Sequence, residues 1–90
     1  MAIGVLFISE RYILHLTRQT NERFGFSVSH FHNCEIDKIT KGSLAESSDL
    51  KVGDKIFAVN GIAVSDTKEI ENIIRSSGLA IKLSLYKAGT

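Results

Sequence analysis

From Tyr12 to Arg18 the side chains alternate in the manner of a strand. Ile13, His15 and Thr17 fall on one face, Tyr12, Leu14 and Leu16 on the other. A polar stretch, Gln19–Glu22, makes a loop before a second strand from Gly25 to about His30. Phe26 and Val28 share one face of that strand, Ser27 and Ser29 the other. His32-Asn33 marks a turn, and Cys34–Ile39 predicts a third strand with one face in the core. Ser43-Leu44-Ala45-Glu46 opens a short helix: Ser43 as N-cap and Glu46 three positions on form a capping box. Gly53-Asp54 turns the chain into a strand at Lys55–Val59, and Asn60-Gly61 is a hairpin signal leading to Ile62–Val64.

Asp66 and Glu69 form a second capping box, opening the main helix. Its core stripe is Ile70, Ile73 and Ile74 with Ser77, and Gly78 stands where a left-handed cap belongs. Leu79–Tyr86 closes the chain as a strand of period two. Strands interrupted by two helices, with few long crossovers, predict an α+β domain. A partly open antiparallel barrel of five to six strands, flanked by two helices, would bury these stripes. Ile3–Ile8 has strand composition too. It reads as an extra edge strand, a partner interface or the tail of a longer parent, with the first favoured.

The stretch with the most chemistry is Glu22–Val28, a glycine between two phenylalanines running into a strand. Gly25 brings no Cβ and accepts φ > 0, so the amides of Phe24, Gly25 and Phe26 can converge as an anion-holding nest. A donor-lined site with aromatic walls beside an open strand edge suits the free carboxylate of a peptide C-terminus. Taken alone, the same seven residues also fit a strand that starts after an ordinary glycine turn.

Four motifs in order then identify a resemblance to the PDZ domain family, over about Arg11 to Lys87. Arg23-Phe24-Gly25-Phe26 stands where the family has its Gly-Leu-Gly-Phe carboxylate-binding loop. Lys41-Gly42-Ser43-Leu44-Ala45 resembles the start of its short helix. Leu50-Lys51-Val52-Gly53-Asp54-Lys55-Ile56 resembles its Gly-Asp segment, and Val59-Asn60-Gly61 its Val-Asn-Gly hairpin. The domain would then span residues 11–88, with 1–10 as an N-terminal extension.

The resemblance implies binding of a partner's extreme C-terminus by strand addition, antiparallel to Phe26–His30 and beside the 66–77 helix. The carboxylate would sit on the Phe24, Gly25 and Phe26 amides, supported by Arg18 or Arg23. A hydrophobic last side chain would enter a pocket of Phe24, Phe26, Val28 and Ile74. Ser27, Ser29, His30, Thr67 and Glu71 would line the strand and set specificity. Affinity would be micromolar, on the order of −8 kcal/mol. Thr67, Glu71 and Ile74 are spaced to share one helix face. Where family members that prefer Ser or Thr at the ligand's third-last position have histidine, this chain has Thr67. With Glu71 nearby, the expected ligand has a polar third-last residue and a basic one close by. A one-residue shift of the helix would put Lys68 in the groove and reverse that charge argument.

Composition narrows the alternatives. Ninety residues make one small domain, burying about 60–65% of its unfolded surface. A net charge of +1, with basic residues scattered and not interleaved with aromatics, argues against nucleic acid as a partner. No apolar run approaches the roughly 20 residues of a membrane span. Ile3–Ile8 lacks a preceding basic residue, so it makes a poor signal peptide, and Met1-Ala2 lacks the glycine of a myristoylation site. The single cysteine, Cys34, suits a reducing compartment. A cytoplasmic protein is expected, at the membrane face only through a partner.

His30, His32 and Cys34 alternate and would share a face in an unbroken strand, as zinc ligands do. The turn at His32-Asn33 breaks that geometry and a fourth ligand is lacking, so turn-edge histidines and a small core cysteine are the plainer reading. Catalysis by Cys34 with His30 or His32 would require a lowered thiol pKa and an orienting Glu35 or Asp37. The Ser43/Glu46 and Asp66/Glu69 pairs read as caps. No metal, cofactor or enzymatic activity is therefore expected. Three functions stay in play. A C-terminal peptide-binding module is favoured over a scaffold that dimerises weakly through residues 1–10, and over a regulatory module of a protease or other enzyme.

Overall fold

The structure is a computed structural model describing residues 10–88. The association surface and extra strand expected at Ile3–Ile8 lie outside the described residues. Eight elements follow in order. They are β1 (Arg11–Thr17), β2 (Phe26–Val28), β3 (Ile36–Ile39), α1 (Leu44–Ser47), β4 (Lys55–Val59), β5 (Ile62–Ala63), α2 (Thr67–Ser76) and β6 (Ala80–Tyr86). They form a four-stranded sheet of order β1-β6-β4-β5 and a two-stranded sheet of β2 and β3, every pair antiparallel. An isolated bridge between Glu35 and Lys55 joins the two sheets, with Ile56 N–H donating to the Cys34 carbonyl at 2.8 Å. The result is the partly open, helix-flanked α+β arrangement that the hydrophobic pattern calls for.

Register follows from the inward faces. Tyr12, Leu14 and Leu16 of β1 stand opposite Leu85, Leu83 and Ile81 of β6. All three β6 partners are buried, while Ile13, His15 and Thr17 face out. From α2, Thr67 and Ile70 are buried; Ile73 and Ile74 pack against the same core from its edge. Full burial of one such aliphatic side chain is worth about 1.5–3 kcal/mol. A slip of one residue in β6 would therefore be costly, because it would expose three of them. Asn60 and Gly61 turn the β4–β5 hairpin with φ of 53° and 80°, the left-handed pair that matches strand twist.

Both helices begin at the expected caps, with one variation. Ser43 Oγ accepts from Glu46 N–H at 3.2 Å, and Asp66 Oδ1 from Glu69 N–H at 2.8 Å. The returning carboxylates reach one residue further back than the standard box. Glu46 accepts from Gly42 N–H at 2.7 Å and Glu69 from Ser65 N–H at 3.1 Å. Away from the groove, the buried carboxylate of Asp54 accepts from the Tyr12 hydroxyl, from Lys51 N–H at 3.0 Å and from Ala88 N–H at 2.8 Å. Three donors compensate its removal from water. Burial and the neighbouring Asp54 push the Tyr12 phenol pKa well up, which keeps it a donor.

Two strand boundaries differ from expectation. β2 stops at Val28 instead of running to His30, and β3 starts at Ile36 instead of Cys34. Ser29 is the cause: its Oγ accepts from Phe31 N–H at 3.0 Å and His32 N–H at 2.9 Å. A serine that satisfies the amides two and three residues on folds the chain into a turn and competes with the ladder. Cys34 closes that turn at φ 68°.

Candidate functional site

The loop before β2 is held by its carbonyls. Phe24 C=O accepts from Ala45 N–H at 2.9 Å, and Gly25 C=O from Thr40 N–H at 2.8 Å and Ser43 Oγ–H at 3.4 Å. With the carbonyls turned into the fold, the amides point out. Those of Phe24, Gly25 and Phe26 donate to no other described residue. Gly25 sits at φ +92°, and a Cβ there would fall inside the Ser43 side chain. Only glycine allows the loop to rest on the N-terminus of α1 in this way.

The loop forms one wall of an open depression of about 570 Å³. Arg23, Phe24, Gly25, Phe26, Ser27 and Ile74 line it, and all were expected at the site. Beside them Lys38, Thr40, Lys41 and Ser43, which sequence reading missed, also line it. Pairing β2 with β3 would have brought Lys38 into view, because it is the partner of Ser27. Arg23, Lys38 and Lys41 make no ion pair with any described residue, and the one carboxylate on the wall is Glu22. The local field therefore favours an anion.

Strand register completes the edge. Phe26 faces Ile39 as a non-hydrogen-bonded pair, since Thr40 N–H donates to Gly25 C=O on the flank. The N–H and C=O of Phe26, and of Val28 two residues on, therefore point away from β3. Phe24 and Val28 are buried, with Phe26 and Ile74 half-buried against the same core. All four belong to one apolar cluster, and Phe24, Phe26 and Ile74 also line the depression.

Arg18 lies elsewhere. Its guanidinium stacks over the Phe24 ring at 5.4 Å and donates to the carbonyls of Glu22 and Gly78, both at 3.0 Å. It braces the loop from behind and ties it to the end of α2, so of the two arginines only Arg23 reaches the depression.

The far end of the groove is occupied by the protein's own bonds. Thr67 is buried at the first turn of α2, and its Oγ1 donates to Ser29 C=O at 2.5 Å while accepting from Cys34 N–H at 3.2 Å. The hydroxyl that sequence reading offered to a ligand is thus already engaged on both sides. Lys68 is exposed and it is Thr67 that holds the buried contact with Ser29, as the unshifted helix register requires. His30 and Glu71 are both exposed and meet at 3.3 Å, Nε2 to Oε2. Ser27 Oγ donates to Asp37 at 2.7 Å on the outer face.

His30 and His32 are exposed at the turn, whereas the Cys34 thiol points into the core. Among the described residues no three potential ligands gather around a metal position. Burial pushes the Cys34 thiol pKa up, the opposite of what a nucleophile needs. No described helix is long and apolar enough to cross a membrane.

The PDZ domain family model matches residues 14–86, most of the chain. This chain belongs to the PDZ domain family. Among solved structures it is similar to Dlg1 PDZ2 of the choanoflagellate Monosiga brevicollis, with a TM-score of 0.76 and 21% identity. That match covers 87% of this chain and 99% of the other. At this identity it speaks for the PDZ fold alone. No curated protein sequence matches the chain. Family and fold together make it a protein-interaction module, of a kind that is generally non-catalytic.

Proposed function

We propose that this PDZ domain binds the free C-terminus of partner proteins by adding it as a strand between β2 and α2. The observation that carries the proposal is the loop at Phe24–Phe26, with the Phe24 and Gly25 carbonyls bonded inward and three consecutive amides that donate to no other described residue. A carboxylate accepts several backbone N–H bonds at such a nest, and the cations of Arg23, Lys38 and Lys41 favour its approach. The ligand's last residue pairs with Phe26, and its third-last with Val28. A hydrophobic terminal side chain fits the apolar cluster of Phe24, Phe26, Val28 and Ile74. Arg18 contributes through the loop it braces. A cytoplasmic setting suits the single, buried thiol.

The test is a fluorescence titration with a random C-terminal peptide pool prepared as free acids and as amides. Binding of the free-acid pool at micromolar concentration, with the amidated pool at least about tenfold weaker, is the expected result. Equal affinity for both pools would remove the carboxylate from the account.

A further inference from the structure

We infer that the groove reads a C-terminus over its last three residues only, and selects a small side chain at the third-last position. This rests on the strand-addition reading above and sharpens it. β2 has outward-facing backbone groups at Phe26 and Val28, enough to pair with the last and third-last residues of an antiparallel ligand. Past Val28 the edge ends. The Ser29 carbonyl is bonded to Thr67, and the Ser29 hydroxyl to the two amides that turn the chain away. His30 therefore belongs to a turn and continues no ladder.

The closure is lateral as well. The Thr67 hydroxyl ties the first turn of α2 directly to the end of β2, and holds Cys34 N–H with the same oxygen. One turn further along, Glu71 reaches His30 across the mouth of the groove. A third-last side chain, on the same face of the ligand as the last one, points at this closed end. The Thr67 hydroxyl has given its proton to Ser29 C=O and the residue is only 2% exposed, so a serine or threonine gains no bond from it there. A bulky side chain must part the His30–Glu71 pair. Residues before the third-last meet no free strand edge.

The direct experiment uses the whole chain and acetylated free-acid pools of three, five and eight residues with a C-terminal valine. The expected dissociation constants agree within about threefold across the lengths. In eight-residue pools, alanine at the third-last position is expected to bind about tenfold tighter than leucine, and no weaker than threonine. His30→Ala, an exposed change that leaves the core alone, should reduce the alanine-over-leucine preference to about threefold or less. A tenfold gain from three to eight residues would overturn the length limit, and threonine binding more tightly than alanine would overturn the reading of Thr67 as closed to the ligand. Leucine binding as well as alanine in the unmodified protein would overturn the size selection. If no free-acid pool binds at any length, the strand-addition reading itself falls, an outcome distinct from a length-dependent one.

Discussion

At one end of the groove three consecutive amides, at Phe24, Gly25 and Phe26, face outward without a bond to any described residue. At the other end, little more than one strand away, the Thr67 hydroxyl joins the Ser29 carbonyl, to which it donates, and the Cys34 amide, from which it accepts. Both ends rest on small residues that leave ordinary strand geometry, Gly25 at φ +92° and Cys34 at φ 68°. The bonds run in opposite directions. The loop's bonds consume acceptors and leave donors; the far end consumes donors and acceptors alike. Unspent donors make a site for an anion, whereas mutually satisfied groups make a clamp.

The largest expected effect comes from Gly25→Ala. The new Cβ collides with Ser43 and the backbone conformation is strained, at a cost of about 1–3 kcal/mol. Thermal unfolding should fall by several degrees, and free-acid peptide binding by more than about tenfold as the amides lose their alignment. Retained binding at wild-type strength would mean that these amides are not the anion site.

Thr67→Val acts on the clamp. It leaves Ser29 C=O and Cys34 N–H buried without a partner, worth about 1–3 kcal/mol of stability, while Thr67→Ser keeps the oxygen and most of that stability. Chemical denaturation of the three proteins measures this, and an unchanged midpoint for the valine variant would show that the clamp carries no load. The closed end also protects its cysteine. Because burial raises the Cys34 pKa, the thiolate fraction at neutral pH is lower than for a free thiol. Iodoacetamide is expected to react at least about tenfold more slowly with the native protein than with the urea-unfolded chain, with the native rate rising only at higher pH. Comparable rates would place the thiol in solvent.

The smallest effect belongs to the exposed cations at the loop end. Lys41→Glu should weaken free-acid peptides by about threefold at low salt, and the difference should vanish near 1 M salt. A loss that survives high salt would point to a specific contact in place of the general field.

Most of the fold was readable in advance because its signals are local. Alternation in β1 and β6, the capping residues Ser43 and Asp66, and Asn60-Gly61 each act over a few neighbours. The positive φ at Gly25 was readable for the same reason, since a glycine between two phenylalanines before a strand leaves few conformations. What escaped notice depends on distant partners. Ser43 backs Gly25 from 18 positions away, and Thr67 bonds to Ser29 across 38. Lys38 reaches the depression only through the register of β2 against β3. Ser29 looked like a strand residue by its period, but its hydroxyl bonds turn the chain, so that β2 ends early and β3 starts late. Arg18 had the right charge near the right loop, yet the backbone carbonyls it serves lie behind that loop.

The most direct test of the contrast is a ¹⁵N–¹H NMR titration with a free-acid peptide ending in valine and with its amide. The account requires the largest free-acid shifts at the Phe24, Gly25 and Phe26 amides, their loss with the amidated peptide, and a Cys34 amide that stays put in both. Largest shifts at Cys34 and its neighbours, or identical maps for acid and amide, would contradict it.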